Sequence, residues 1–182
     1  MFYLPSVLSV TVVGIIAFRV WDPHRGLLNA FIIGLLHGQP LQPWGGRGEM
    51  LVLVITTVWW TFGFPMLVFV AGLSNVPETL YEAAKIDGAD ALRLFTRITL
   101  PLITPTLLFV LSTQFITHMQ MFGQAYQLSS SPESQTVFVY LFDTSWKYFR
   151  FGYSSAMGVA LTVILLIVTR VLFAVFGRRF EY

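Results

Sequence analysis

The residues best suited to bind a solute lie in one uncharged, apolar segment around position 115. Gln114, Thr117 and His118 lie three and four positions apart, so a helix would carry all three on one face. Their donors and acceptors, together with the rings of Phe115 and Phe122, could hold a hydroxyl-rich solute such as a sugar. Hydrogen bonding to neighbouring helices explains the same polar face equally well. Under the first interpretation, Gln114, Phe115, His118 and Phe122 would line the path of a solute.

The sequence contains no set of residues that predicts covalent catalysis. It has no P-loop, no HExxH motif, and no paired carboxylates or Ser/His/Asp set within its apolar segments. His118 has no second His or Glu at ligand spacing, so no metal site is predicted. The chain has no Cys, which excludes a thiolate metal site, a disulfide and a cysteine nucleophile. We therefore expect a protein that is not an enzyme and that binds no cofactor itself.

The composition is that of a membrane protein. Of the 182 residues, 55% are hydrophobic and 11% are charged, whereas about 25% of the residues of a soluble domain are charged. The mean hydropathy is +0.71. The net charge of +2 gives no indication of a nucleic-acid partner. This composition predicts that membrane lipid surrounds the chain.

The apolar segments predict an all-α, polytopic membrane helical bundle. About 20 apolar residues are needed to cross a bilayer as a helix. By that criterion we expect four transmembrane helices, at about 2–18, 50–73, 102–122 and 153–176. The first is near the lower limit of length, but a secretory signal is disfavoured because it lacks a basic start and a small-residue cleavage site. Residues 19–49 and 123–150 are predicted to be loops, with a short interfacial helix over 27–36 in the first.

A polar segment, residues 75–101, separates the second and third predicted spans. Its residues include signals that start and end helices. Asn75 could cap a helix, with Glu78 returning the hydrogen bond. Gly88 stands where that helix would stop, because glycine adopts the left-handed conformation at little cost. Asp90 could cap a second short helix, and Pro101 would open the next span. We expect a helix, a glycine turn and a helix, all outside the bilayer.

Seven residues of this segment also match a known pattern at fixed spacing: Glu82, Ala83, Ala84, Gly88, Ile98, Leu100 and Pro101. The pattern resembles the signature loop of permease subunits of bacterial ABC importers. The run Ile86-Asp87-Gly88-Ala89 resembles the carbohydrate branch, and residues 151–156 are similar to the maltose and glycerol-3-phosphate type. The plain alternative is a capped amphipathic loop with no special role, which seven matches next to membrane spans make improbable.

The resemblance implies a division of labour between several subunits. The loop would be a cytoplasmic coupling helix held in a cleft of an ATPase, through Glu82, Ala83, Ala84, Asp87, Gly88, Ile98, Leu100 and Pro101. A sister permease would complete the pathway, and a cytoplasmic ATPase dimer would use ATP and Mg²⁺. An extracytoplasmic solute-binding protein would deliver a carbohydrate-like solute, which would pass by alternating access.

Topology and length follow from the same resemblance. A cytoplasmic loop places both termini in the cytoplasm of a multi-pass protein of the cell (inner) membrane, although basic residues divide almost evenly between the two sides. The family has six spans, so residues 1–182 resemble a single transmembrane domain without its first two helices. Two alternatives stay open: a small structural or regulatory membrane protein that transports nothing, and an importer permease for amino acids or peptides.

One segment departs from the family pattern. Ser129-Ser130-Ser131-Pro132 stands where relatives usually have a Thr-Gly-Gly-Pro-like turn. Residues Asp143, Lys147 and Arg150 further along are expected to form a solvated face or to contact a docked binding protein.

Overall fold

The structure is a computed structural model that describes residues 2–36, 44, 47–129 and 131–176. Within these residues every regular element is helical, which confirms the all-α class. The α-helices are α1 (Val10–Trp21), α2 (Leu27–Leu36), α3 (Arg47–Thr61), α4 (Gly63–Ser74), α5 (Glu78–Ile86), α6 (Ala91–Leu94), α7 (Leu100–Met119), α8 (Gly123–Leu128), α9 (Val137–Trp146) and α10 (Phe151–Phe176). Short 3₁₀ turns occupy Leu4–Val7 and Pro132–Ser134, and a π-helical segment occupies Phe95–Thr99.

The chain divides into two compact units. The first comprises Met1–Gly63 and Met119–Gly158, and the second comprises Phe64–His118 and Val159–Tyr182. Segment 75–101 therefore lies wholly within the second unit.

The first unit is built around α1, which packs against α2, α3 and α8. Its core consists of Ala17, Leu53, Ala125, Leu128 and Val139, with Trp21, Trp44, Met50, Met121 and Phe122 packed around them. Trp44 is fixed in place because its indole Nε1 donates to the carbonyl oxygen of Trp21 at 3.0 Å.

The predicted loop over 123–150 is wrong, because α8 and α9 occupy most of it. Ala125, Leu128 and Val139 on these helices are buried in the first unit's core. Burial of such apolar positions favours helix over the turn tendency of the surrounding serines and glycine. The predicted short helix over 27–36 is confirmed as α2. Positions 37–43 and 45–46 of the other predicted loop lie outside the described residues.

In the second unit, α6 runs through the π-helical segment into α7, so that Ala91–Met119 is one helix of 29 residues. The expectation that Pro101 opens this helix is wrong. Proline has no N–H and its ring crowds the preceding turn. The helix passes the proline directly after the π-helical turn, which closes with a bond from Leu100 N to Phe95 O.

The number of spans differs from the four that the sequence predicts. Among the described residues, Ala91–Met119 and Phe151–Val175 are long and apolar enough to cross a membrane. Gly48–Thr61 and Gly63–Ser74 make a third crossing if the pair, bent by 42°, is one span. The remaining apolar helix, Val10–Trp21, has 12 residues and extends about 18 Å, against a hydrocarbon thickness of about 30 Å.

Candidate functional site

Helix α5 begins later than its predicted cap. It starts at Glu78, and Pro77 precedes it in an extended conformation with no side-chain cap. The expectation that Asn75 caps the helix is wrong, because a residue before proline is disfavoured in the helical region. Val76 and Pro77 therefore separate Asn75 from the first helical residue, Glu78.

The end of α5 is the predicted glycine stop. Gly88 has φ of +78°. The N–H of Ala89 donates to the carbonyl of Ala84 at 2.9 Å, and the N–H of Gly88 donates to that of Lys85 at 3.0 Å. These two bonds form a Schellman motif, which satisfies carbonyls that the helix end would leave open. A Cβ at Gly88 would meet no atom of the described residues within 4 Å, so the backbone angle, and not crowding, requires glycine.

Two hydrogen bonds restrain the segment that follows Gly88. The Asp90 carboxylate accepts from the N–H of Arg93 at 2.9 Å, which confirms the predicted cap of the second helix. The hydroxyls of Tyr81 and Thr99 lie 2.9 Å apart and share a hydrogen bond. This bond ties α5 to the π-helical segment. Sequence reasoning missed it, because nothing in the spacing of 18 residues reveals that the two side chains meet.

The surface of α5 is open. Glu82, Ala83 and Asp87 are exposed, and Ala84 is half-buried. Ile86 is 87% exposed, although it is a large apolar side chain. Within the second unit, α5 therefore presents a small, mixed polar and apolar surface that the described chain does not cover.

The other predicted coupling residues lie elsewhere in the same unit. Ile98 is in the π-helical segment, and Leu100 and Pro101 are in the first turn of α7; all three are half-buried. Ile98 lines a cavity of about 300 Å³ together with Ala84 and Asp87. The structure thus brings three of the predicted residues together around one cavity.

Helices α4 and α7, which flank this segment, approach closely. A Cβ built at Gly72 of α4 would lie 2.6 Å from Oγ1 and 3.1 Å from Cβ of Thr106 on α7. Small residues at helix contacts allow this approach in membranes. Sequence reasoning did not predict this pair, since a lone glycine and a lone threonine do not indicate that two helices meet there.

The candidate solute-pathway residues are divided between the two units. Gln114, Phe115 and His118 are half-buried on α7, and His118 Nδ1 lies 2.7 Å from the carbonyl oxygen of Gln114. Phe122 belongs to the first unit, where its ring lies 4.7 Å from that of Phe142 and beside the core. Phe122 therefore packs within an aromatic cluster.

Several polar side chains of α7 bond within their own helix. The Thr104 hydroxyl donates to Leu100 O at 2.7 Å, and the Thr113 hydroxyl donates to Phe109 O at 2.7 Å. Such bonds to the preceding turn let hydroxyl residues lie in an apolar helix. They are a third explanation for the polarity of this segment, besides interhelical bonds and a wet cavity.

A buried carboxylate organises the serine-rich segment that departs from the family pattern. Glu49 is 0% exposed. Its Oε2 accepts from Ser134 Oγ at 2.5 Å, from Ser131 Oγ at 3.0 Å and from Ser131 N at 3.1 Å. Local sequence patterns could not predict this contact, because the partners lie more than eighty positions apart.

Asp143 and Lys147 form an ion pair on the first unit. Lys147 Nζ lies 2.9 Å from Asp143 Oδ2, with the carboxylate nearly buried and the lysine about half exposed. The hydrogen bond to Asp143 raises the pKa of Lys147 above its ordinary value. The face that was expected to be solvated is therefore only partly so, because it contains the buried acid Asp143 paired with the surface base Lys147.

Among the described residues, no cluster of His, Cys, Asp or Glu could hold a metal ion. The sequence profile of one family, described as "binding-protein-dependent transport system inner membrane component", matches residues 1–182. The chain belongs to this family. The resemblance to ABC importer permeases is thereby confirmed, and a permease component of the inner membrane is not the catalytic subunit of its transport system.

Several curated permeases are similar over most of this chain. Probable ABC transporter permease protein YesP of Bacillus subtilis is 35% identical over 95% of this chain and 58% of its own length. The arabinooligosaccharide permease AraP of the same organism is 34% identical over 92% and 55%. The diacetylchitobiose permease NgcF of Streptomyces coelicolor is 33% identical over 95% and 51%. This permease chain thus spans little more than half the length of these relatives.

Two solved structures share the fold. A crystal structure of a bacterial ABC transporter involved in alginate import gives a TM-score of 0.82, with 21% identity over 99% of this chain and 64% of that chain. A structure of a bacterial alginate transporter with a pentasaccharide-bound periplasmic protein gives 0.82, with 22% identity over 97% and 63%. Because both identities are below 25%, this similarity establishes that the chain has the same fold and nothing about its solute.

Proposed function

We propose that this chain is a permease subunit of an ATP-driven importer, and that α5 is its coupling helix. The observation that carries the proposal is the exposed surface of α5, which includes Glu82, Ala83 and the apolar Ile86. Exposed apolar surface on a well-ordered element outside a span favours a protein partner. An ATPase dimer that uses ATP and Mg²⁺ is the partner we propose, with α5 on the cytoplasmic side.

A coupling helix has to be stiff to transmit movement. The Schellman end at Gly88 and the Asp90 cap order the turn between α5 and α6. The Tyr81–Thr99 hydrogen bond holds α5 against the π-helical segment. With these restraints, a movement imposed on α5 would pass to the helix Ala91–Met119 as a rigid body. Glu82 would orient the docked helix by polar contacts, while Ala83 and Ala84 allow close approach.

The proposed solute is a sugar or oligosaccharide. Support comes from relatives whose names state arabinooligosaccharide and diacetylchitobiose transport, and from the hydrogen-bonding residues of α7. We propose that Gln114, Phe115 and His118 face the pathway. The placement of Phe122 in an aromatic cluster favours a packing role for that residue instead. A sister permease and an extracytoplasmic binding protein would complete the importer.

The proposed topology has four crossings with both termini in the cytoplasm. The fourth crossing would use the short helix Val10–Trp21 together with the 3₁₀ turn Leu4–Val7 before it. A 3₁₀ turn rises about 2 Å per residue, so the combined segment reaches further into the bilayer than α1 alone.

The decisive experiment separates ATP hydrolysis from uptake in reconstituted transporter. Glu82→Lys should leave the complex in the membrane but lower the number of solute molecules taken up per ATP hydrolysed. Glu133→Lys is the matched control, because it reverses the charge of another exposed glutamate that lies in the first unit. Normal coupled uptake by Glu82→Lys, at normal expression, would overturn the proposal.

A second experiment addresses the pathway. Replacing Gln114 and His118 together by alanine should weaken the apparent affinity for the transported solute. Thr79, exposed in α5, provides the control when it is replaced by alanine. Unchanged affinity in the double variant would remove these residues from the proposed pathway.

A further inference from the structure

A cavity of about 300 Å³ lies between α5 and the first turns of the helix Ala91–Met119. Its lining consists of Ala84, Asp87, Ala89, Arg93, Arg97 and Ile98. Two arginines and one aspartate therefore line the cavity, and the side chains of the other lining residues are apolar. The two arginines and the single acid leave one net positive charge in the lining.

The described residues compensate this positive charge poorly. Arg93 Nε lies 4.0 Å from Asp90 Oδ1, and the two side chains are 65% and 67% exposed, so solvent screens this pair strongly. Arg97 is exposed and forms no ion pair with any described residue. A guanidinium group presents two parallel N–H donors that match the oxygens of a phosphate.

The location of the cavity favours a lipid phosphate. A helix of 29 residues extends about 43 Å, which exceeds a hydrocarbon thickness of about 30 Å. Arg93 and Arg97 lie in its charged first part, so they would stand at the headgroup level. Leu92 and Phe95 beside them are 70% and 52% exposed, and acyl chains would cover these side chains.

We propose that this cavity binds the phosphodiester of an anionic phospholipid. Arg97 holds two phosphate oxygens, Arg93 supplies the second positive charge, and the acyl chains lie along Leu92 and Phe95. The site requires that Ala91–Met119 cross the membrane. It does not require that α5 engage an ATPase. The residues that carry the coupling proposal, Glu82, Ala83 and Ile86, lie outside the cavity lining, so the two proposals can fail separately.

The test measures lipid retained by the purified complex that contains the full chain, without nucleotide. The complex is exposed to phosphatidylglycerol or to phosphatidylcholine in mixed micelles, and bound lipid is counted by native mass spectrometry. Phosphatidylglycerol should be retained preferentially. Replacing either arginine, as Arg93→Gln or Arg97→Gln, should weaken its retention about fivefold, the effect typical of one basic residue at an anionic membrane surface.

Matched variants make the result specific. Lys85→Gln removes a positive charge from the same segment but not from the cavity lining, and should change retention by less than about twofold. Asp87→Asn should increase retention, because it removes the negative charge that faces the phosphate. Arg97→Lys keeps the charge without the two parallel donors. It should give an intermediate loss, and it serves as the test if Arg97→Gln does not fold.

Three outcomes would overturn the proposal. One is equal retention of the two lipids, and another is a loss in Lys85→Gln as large as in Arg97→Gln. The third is displacement of phosphatidylglycerol by millimolar inorganic phosphate, which would assign the cavity to free phosphate.

Discussion

Gly72 and Thr106 touch so closely that only glycine fits on the first helix. A Cβ at Gly72 would lie within 3.1 Å of three side-chain atoms of Thr106, including its branched Cβ. The Cβ of threonine cannot swing away as the end of a long side chain can. The contact joins α4 and α7, the two helices from which segment 75–101 emerges.

Gly72→Ala should therefore push α4 and α7 apart. We expect a loss of about 1 to 3 kcal/mol, the usual cost of overpacking, measured as thermal stability of the purified complex. Gly34→Ala is the control, because a Cβ there meets no atom within 4 Å in the part of the chain that the structure describes. Adding Thr106→Ala to Gly72→Ala should recover part of the loss. Equal stability of the Gly72 and Gly34 variants would show that the contact is not tight.

Gly88→Ala should strain the turn that ends α5. Its φ of +78° is a left-handed conformation, in which a Cβ costs about 1 to 2 kcal/mol. Gly152→Ala is the control, since both positions have open space but Gly152 is helical. Hydrogen exchange should become faster in α5 of the Gly88 variant and remain unchanged in the Gly152 variant. Exchange that is unaltered in both would contradict the role of Gly88.

Tyr81→Phe should loosen the link between α5 and the π-helical segment. It removes the hydrogen bond to Thr99, which is 8% exposed, at a cost of about 0.5 to 1.5 kcal/mol. The expected result is a lower ratio of uptake to ATP hydrolysis in reconstituted transporter. Tyr140→Phe is the control, because it removes a tyrosine hydroxyl that forms no hydrogen bond with the described residues, and it should leave the ratio unchanged. A similar effect of both changes would argue against the link.

Ser134→Ala should destabilise the contact around Glu49. The variant leaves a buried carboxylate without its shortest donor, at 2.5 Å, and hydrogen bonds to charged groups contribute about 1.5 to 3 kcal/mol. The measurement is again thermal stability. Ser74→Ala is the control, because Ser74 is exposed and, among the described residues, its hydroxyl bonds only to Val70 O of its own helix. A loss no greater than in the control would mean that Ser131 alone suffices.

Lys147→Gln should lower thermal stability by an amount that does not vary between about pH 6 and about pH 9. The pKa of Lys147 is raised by its hydrogen bond to Asp143. A raised pKa means that the stabilisation is complete below the ordinary value of 10.5 and is lost only as pH rises through the higher folded value. Lys85→Gln is the control, because it removes a lysine that forms no ion pair in the described structure. If the stability difference between Lys147→Gln and wild type became smaller at pH values below about 9, the hydrogen bond to Asp143 would not be its cause.

Local sequence was enough to predict the design of segment 75–101. Gly88 ends a helix and Asp90 caps the next, because the conformational freedom of glycine and the capping oxygen of aspartate act within a few residues. The family was recognisable for the same reason, since its loop pattern is contiguous. The start of α5 was placed wrongly because the restriction that Pro77 imposes on Val76 outweighed the capping tendency of Asn75.

The sequence by itself determined the all-α class, the apolar character and the permease family, because these depend on composition and on residues close together in the chain. Tertiary structure alone decided which distant residues meet: Tyr81 with Thr99, Gly72 with Thr106, and Glu49 with Ser134. It also decided that α8 and α9 are helices, since their apolar residues gain by burial in a core that no local pattern reveals. Contacts of this kind depend on how helices pack against one another, and the residue spacing within one chain segment does not determine that packing.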